Sequence, residues 1–425
     1  MSRYDELIAE FCPDGVEYRK LGEVGTFYCG LTGKSKEDFK EGSSLFVPYT
    51  NVYNNAAVDF RNLDTVNVAD GERQHEIAYG DVLVTGSSET PDDCGMASVV
   101  MQSPEVQTYL NSFCFGWRPN SLEAFEPGYL KYAFRAYGAR RQIVKTANGV
   151  TRFNISKETF GRVEIPVPPI EVQREIVRIL DSFTELEAEL EAELEARKAQ
   201  YAYYRARLLS QESIEVLDGK PVEMASLGDV TEIGGGHTPS KAITANYENG
   251  TIPWVTSKDV KCPHLSTTGI LITETGASSL TMYPQDSIVV VLRSGILKRY
   301  FPVAMLDVPM TVNQDIKAVI SKDPSEILPR YLYHCIDNYG PTLLTISHRA
   351  GGTVDSIPLD DFKATPIPVP SLATQQKIVD ILDRFDTLTT SLTDGLPAEI
   401  EARKAQYAYY RDRLLDFPRK EVAAS

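Results

Sequence analysis

The chain has 425 residues, 42% of them hydrophobic and 24% charged, with a formal net charge of −16 at pH 7. That mix supports two or three domains with substantial cores and excludes wholesale disorder. No apolar run reaches the roughly 18–20 residues of a membrane helix, the opening MSRYDELIAEF lacks the apolar stretch of a signal peptide, and the acidic balance argues on its face against nucleic acid as a partner.

The first elements are β-rich. Between Val16 and Pro166 the runs LFVPYTNVY, DVLVTG and MASVVM stand between Gly, Pro, Asn and Asp, which reads as mostly strands with a few helices. Gly128–Val144 reads as a helix. From Pro127 to Lys157 there is no acid, while Lys131, Arg135, Arg140, Arg141, Lys145, Arg152 and Lys157 are basic. The prolines at 166–169 end a strand-like segment and set the start of a long helix. From Glu171 to about Ser210 apolar residues recur every three to four positions, among them Ile176, Ile179, Leu180, Phe183, Leu186, Leu190, Leu194, Tyr201, Tyr204 and Leu208. A second β-rich segment follows, Val222–Pro366, with the runs IPWVT and SIVVVLRS and a helical stretch at Leu328–Leu344. A second long helix carries Ile378, Ile381, Leu382, Phe385, Leu388, Leu392, Ile400, Tyr407, Tyr410 and Leu414.

These halves are copies. EARKAQYAYYR occurs at Glu195–Arg205 and again at Glu401–Arg411, and PVPPIEVQREIVRILDSF (Pro166–Phe183) pairs with PVPSLATQQKIVDILDRF (Pro368–Phe385). VEYRKLGEV (Val16–Val24) pairs with VEMASLGDV (Val222–Val230), and GDVLVTGSS loosely with QDSIVVVLRS. One unit of about 200 residues is used twice, as two folded domains rather than a solenoid. Forty helical residues span roughly 60 Å, and a single apolar stripe that long needs a partner, for which the duplicate helix is the obvious choice. The helices stay alike while the β-rich parts differ. Either an old duplication has drifted, or the β-rich parts bind different things and the helices share one job.

The layout resembles the specificity subunit of a type I DNA restriction–modification system. The resemblance rests on the order of variable region, proline run with the Q-[RQ]-[EK]-I-V helix, second variable region and same helix again, on Gly236-His237-Thr238-Pro239-Ser240, and on the repeat LEAELEAELEA (Leu186–Ala196). Two departures stand out. The first domain has Gly30-Leu31-Thr32-Gly33 without the proline, and the second helix carries Gly395 and Pro397. The fold so implied is α+β: two mixed, β-rich target-recognition domains separated by two long helices packed as an antiparallel coiled coil. The boundaries expected are 1–166 for an N-terminal arm and the first domain, 167–215 for the first helical spacer, 216–368 for the second domain, 369–418 for the second spacer and 419–425 for a tail. The function implied is sequence-specific recognition of a bipartite, asymmetric double-stranded DNA target, one half per domain. Two methylation subunits would dock on the helices, and two motor-nuclease subunits would join later. S-adenosylmethionine, ATP and Mg are then expected on those partners and none in this chain. The repeat can gain four residues and keep its stripe nearly in phase, adding about 6 Å of helix.

Chemistry of the chain's own is not evident in the sequence. There is no Asn or Asp beside Pro168-Pro169 to form a methyltransferase motif, and Gly33-Lys34-Ser35 lacks the upstream glycine of a phosphate loop. His75, His237, His264, His334 and His348 show no metal-ligand spacing. Cys12, Cys29, Cys94, Cys114, Cys262 and Cys335 lie far apart, so neither a zinc site nor a disulfide framework is expected and a reducing cytoplasm fits. No catalytic or metal residue is therefore named.

The charge objection is met by distribution. Glu171–Lys198 holds nine carboxylates against four bases, a face DNA repels and a protein can use. For DNA contact the expected residues are Arg135, Arg140, Arg141, Lys145, Asn148 and Arg152 in the first domain. In the second they are Arg293, Lys298, Arg299, His348 and Arg349, just before Gly351-Gly352. Phosphates want Lys and Arg, and base edges want Arg, Asn, Gln and Thr. The alternative is ordinary solubilising surface. For partner docking the residues are Arg197, Lys198, Tyr201 and Tyr204 with their copies Arg403, Lys404, Tyr407 and Tyr410, the tyrosines having coil packing as their alternative. Two rival functions stay open: a two-site protein scaffold that never touches DNA, and a DNA-modifying enzyme with its own catalytic site.

Overall fold

A computed structural model describes residues 2–40, 42–69, 71–350, 354–390 and 395–420. By internal contacts the chain forms two compact units, Met1–Ala188 with Ala402–Ser425, and Glu189–Glu401. Both boundaries fall inside long helical sequence, so each unit combines one β-rich segment with pieces of both helices.

In the first unit an antiparallel sheet runs in the order Gly25–Cys29, Cys114–Pro119, Val82–Thr85, Ala97–Val99. One of its two inner strands is the DVLVT run. Val82, Leu83 and Val84 are all fully buried, which is why the sequence there is continuously apolar instead of alternating. A second sheet orders Asp64–Val66, Ser44–Val47 and Thr108–Leu110, the last pair parallel. Tyr18–Lys20 pairs with Glu164–Pro166 and so brings the two ends of the β-rich segment together.

The second unit repeats this plan. Its main sheet runs Thr231–Gly235, Ile316–Ser321, Ile288–Val291, Val303–Leu306, His264–Leu265. Leu271–Ile272, Ile252–Val255 and Thr311–Val312 form the second sheet, again with one parallel pair. Glu223–Ser226 closes on Pro366–Val369. The duplication thus extends through the segments whose sequences barely match. Four strands of the main sheet correspond one to one, and where the second unit adds His264–Leu265 the first has only a parallel bridge, Ala57 to Val99.

The long helix spans Ile170–Leu208. The second long helix is described as two segments, Leu372–Thr390 and Leu396–Leu414, and Leu392 of its apolar stripe lies outside the described residues. Each unit packs a stretch of one copy antiparallel to a stretch of the other. In the first, Phe183 stacks on Tyr410 with ring centroids 5.4 Å apart, and Lys404 Nζ lies 3.7 Å from Glu187. In the second, Tyr201 and Tyr204 both stack on Phe385, at 5.8 and 6.0 Å, and beyond the end of the long helix Asp218, on the short helix Gln211–Asp218, accepts from Thr374 at 2.7 Å.

One expectation is corrected. Gly128–Val144 is two helices, Pro127–Ala133 and Tyr137–Thr146, whereas its counterpart is the single helix Pro329–Ile346. The repeat also differs here: it continues past EARKAQYAYYR as Ala-Arg-Leu-Leu in one copy and Asp-Arg-Leu-Leu in the other. The differing residue, Asp412, accepts the Tyr137 N–H at 3.0 Å. A carboxylate there satisfies a donor that a helix start leaves open, and Ala206 in the other copy has no such group.

Candidate nucleic-acid interface

Beyond one inner strand of each main sheet the chain crosses one residue and forms a two-residue strand. In the first unit Gly86 is the crossing residue: its N–H donates to Phe113 O and its carbonyl accepts Ile155 N–H. In the second unit Leu292 does the same with Asp315 O and Ile357 N–H. The short strands that follow, Ser87–Ser88 and Arg293–Ser294, pair with Phe153–Asn154 and Asp355–Ser356. Each of those is one arm of a hairpin whose other arm starts at Asn148 or Arg349. The backbone frame is therefore the same in both units.

What differs is the side chains on it. In the first unit the hairpin carries exposed Asn148, Val150, Thr151, Arg152 and Asn154. The Arg152 guanidinium sits 5.3 Å from the Phe113 ring and donates to Ser87 Oγ at 3.2 Å. A cavity of about 500 Å³ opens beside it, lined by Tyr49, Tyr53, Glu89, Asp93, Phe113 and Arg152 among others. Hydrogen bonds from Thr90 and Tyr53 hold the Asp93 carboxyl below the usual range, so it stays an acceptor. In the second unit Arg293, Lys298, Arg299 and Arg349 are exposed, and His348 Nε2 lies 2.9 Å from Asp355. Gly351 and Gly352 lie outside the described residues.

The acid-free stretch of the first unit does not act as one patch. Arg135 donates to the carbonyls of Ala97, Tyr53 and Asn55, and Arg140 to those of Gly95, Asp92 and Cys94. Both are part-buried, and burial pulls the Arg135 pKa down to about 10, which leaves it charged at neutral pH. They brace loops from within. Lys131 is bound to Asp181 at 2.7 Å. Arg141 and Lys145 are exposed and border a groove with Tyr409, Asp412 and Arg413 of the same unit. Asn148 and Arg152 stand on the hairpin.

On the helices Tyr201 is buried and Tyr407 half-buried, the latter against Tyr132. Tyr204 and Tyr410 keep exposure while stacking on Phe385 and Phe183. Arg197 pairs with Glu193 and Lys198 with Glu195 on the exposed face. Arg403 donates to Gln406 and Lys404 meets Glu187. The most exposed repeat tyrosines are Tyr203 and Tyr409, each taking a hydrogen bond from the arginine four residues on, Arg207 or Arg413.

One group of possible metal ligands occurs among the described residues, His334 with Asp383 and Asp386. Arg330 is already there, its Nε 2.7 Å from Asp383 and its NH2 2.9 Å from Asp386. The guanidinium supplies the positive charge a cation would bring. The first unit solves the same position differently: Asp181, the copy of Asp383, meets Lys131 and Tyr132. Burial lowers the His334 pKa, so the ring stays neutral at pH 7.

Sequence reasoning passed over two residues that the fold depends on. Gln173 and Gln375, inside the helix motif, are fully buried. Gln173 accepts Glu126 N–H at 2.9 Å and donates to Ala124 O and Pro168 O at 2.8 and 2.7 Å. Gln375 does the same with Leu328 N–H, Glu326 O and Pro370 O. Their equal place in both copies of the motif was the available signal.

The family model described as type I restriction modification DNA specificity domain matches twice, over residues 13–196 and 219–402. The chain is 45% identical over 278 residues to the type I restriction enzyme EcoR124I/EcoR124II specificity subunit of Escherichia coli, covering 64% of this chain and 67% of that one. It is 34% identical over 283 residues to the putative type I restriction enzyme specificity subunit S.HindORF215P of Haemophilus influenzae, covering 63% and 68%. A solved chain from work on complex assembly and conformational transition of the type I R-M system superposes with a TM-score of 0.62 at 17% identity, over 95% of this chain and 98% of that one. No described helix is long and apolar enough to cross a membrane. With the family model occupying both halves, and with the fold, the duplication and the relatives in agreement, the chain belongs to the type I restriction–modification specificity subunits, the non-catalytic members of those systems.

Proposed function

We propose that each unit reads one half of a bipartite, asymmetric double-stranded DNA target, and that the helices dock two methylation subunits in the cytoplasm. Those subunits carry S-adenosylmethionine, and two motor-nuclease subunits that join them carry the ATP and Mg chemistry. One observation supports this above others. The hairpin frame is built twice on the same hydrogen bonds, yet its exposed side chains differ between copies, whereas the exposed helix residues of the EARKAQYAYYR stretch are the same in both. A common partner would keep the helices alike, and different half-sites would keep the hairpins unlike. In function the chain divides as 1–166, 167–215, 216–368 and 369–418, with a tail at 419–425.

On this reading Asn148, Arg152, Arg293, Lys298, Arg299, His348 and Arg349 meet DNA directly. Arg141 and Lys145 add positive charge for phosphates, while Arg135 and Arg140 hold the loops in place. Arg197, Lys198, Arg403 and Lys404, with the tyrosines Tyr201, Tyr204, Tyr407 and Tyr410 shaping the helix surface, make the docking face. Exchanging residues 222–366 for the corresponding segment of another specificity subunit tests the proposal. Sequencing of DNA modified by the assembled enzyme should show one half-site replaced and the other kept. Replacement of both halves, or of neither, would overturn it.

A further inference from the structure

The hairpin frame fixes a row of three side chains in each unit. In the first, Asn148 is paired directly with Asn154, and Asn154 with Ser87. In the second, Arg349 is paired with Ser356, and Ser356 with Arg293. Residues directly opposite one another on neighbouring strands project from the same face. Each unit therefore carries a three-residue row on one face of its hairpin frame: Asn–Asn–Ser in one, Arg–Ser–Arg in the other. Asn148, Asn154, Arg293 and Arg349 are exposed and Ser356 is half-exposed. Ser87 is buried, and Arg152 donates to its Oγ at 3.2 Å. The three rungs match position for position, so the two units hold different chemistry on the same framework.

We propose that this row is the base-reading element of each domain, and that the half-site read by the first unit presents adenine where that of the second presents guanine. The inference rests on the reading that each unit takes one half-site, and it names the residues that decide the sequence. An asparagine amide offers one donor and one acceptor side by side, the complement of adenine N7 and N6–H in the major groove. An arginine fork offers parallel donors, the complement of guanine O6 and N7, and cannot serve adenine's amino group. Serine between the two arginines leaves both forks room to extend.

The test uses the chain assembled with the methylation subunits of its own system, expressed in cells whose modified DNA is sequenced. Asn148→Ala and Asn154→Ala should each relax an adenine position in one half-site. Arg293→Ala and Arg349→Ala should each relax a guanine position in the other half-site. Each lost contact should lower discrimination at its position roughly 5- to 150-fold, the equivalent of about 1–3 kcal/mol. The half-site left intact reports that each variant has folded. Asn148→Arg should go further and turn an adenine preference into a guanine preference. Unchanged motifs, relaxation of the same half by both pairs, or modification weakened equally on all sequences would overturn the inference. A parent enzyme that modifies an undivided target would instead overturn the reading beneath it.

Discussion

Replacing Gln173 with methionine should remove a three-bond tie between the start of the long helix, the proline run and the segment Ala124–Glu126. The side chain is fully buried, and its three partners are main-chain groups: one N–H at Glu126 and two carbonyls at Ala124 and Pro168. Methionine fills a similar volume, so the cavity term is small. The polar partners cannot leave with the side chain, because they belong to the backbone. Three neutral hydrogen bonds at about 1 kcal/mol each give about 3 kcal/mol, and stranding the buried groups adds to that figure. Against a domain stability on the order of 5–15 kcal/mol, this is a large fraction, worth more than a hundredfold in the folding equilibrium. Gln376, beside Gln375 in the second copy, supplies an exposed control whose side chain donates to Asp380 on its own helix; Gln376→Met should cost less than about 0.5 kcal/mol. Urea unfolding followed by hydrogen exchange would read both variants, with Gln173→Met exposing amides of Glu126 and the strand Glu164–Pro166 first. A Gln173→Met protein that unfolds within about 1 kcal/mol of the parent would refute the reasoning.

Two further outcomes follow from the charged groups. Burial depresses the His334 pKa, so the folded second unit binds fewer protons than the unfolded chain. That contribution is fully present above the unfolded value near 6.5 and is lost as pH falls toward the folded one; the urea midpoint of the second unit should drop between about pH 7 and 5, and His334→Gln should flatten that slope. Arg140→Ala should destabilise the first unit by roughly 2–4 kcal/mol, through three carbonyls that lose a charged donor, whereas Arg141→Ala with Lys145→Ala should leave stability within about 0.5 kcal/mol and lower the salt slope of DNA binding by about one unit per lost phosphate contact; equal effects of the two changes on unfolding would contradict the burial seen for Arg140.

The repeat, the β-rich character of the variable segments and the long helix were legible because each is a pattern along the chain. Fifteen residues from Glu195 to Leu209 recur at Glu401–Leu415 with one change, and a 3.6-residue stripe announces its own helix. The side-chain roles were less legible, because a run of like charges records how many guanidiniums there are and not where each one ends. Arg140 and Arg141 are adjacent, yet one turns inward to three carbonyls and the other stays in solvent. A helix sends neighbouring residues about 100° apart, and only the loop at Asp92–Gly95, brought in by tertiary packing, decides which direction is inside. The same reason hid the cross-strand rows. Strands of two residues carry no periodicity of their own, and their register comes from the Gly86 and Leu292 crossings, set by the distant residues Phe113, Ile155, Asp315 and Ile357. Sequence comparison of the two copies aligns GSS with LRS only loosely, and the rung that puts Ser87 opposite Asn154, and Arg293 opposite Ser356, is what turns that loose match into a correspondence. Divergence between copies then becomes interpretable. Where the frame is the same and the side chain differs, the difference cannot be attributed to a change of fold, and on the proposed reading it serves the half-site each unit meets.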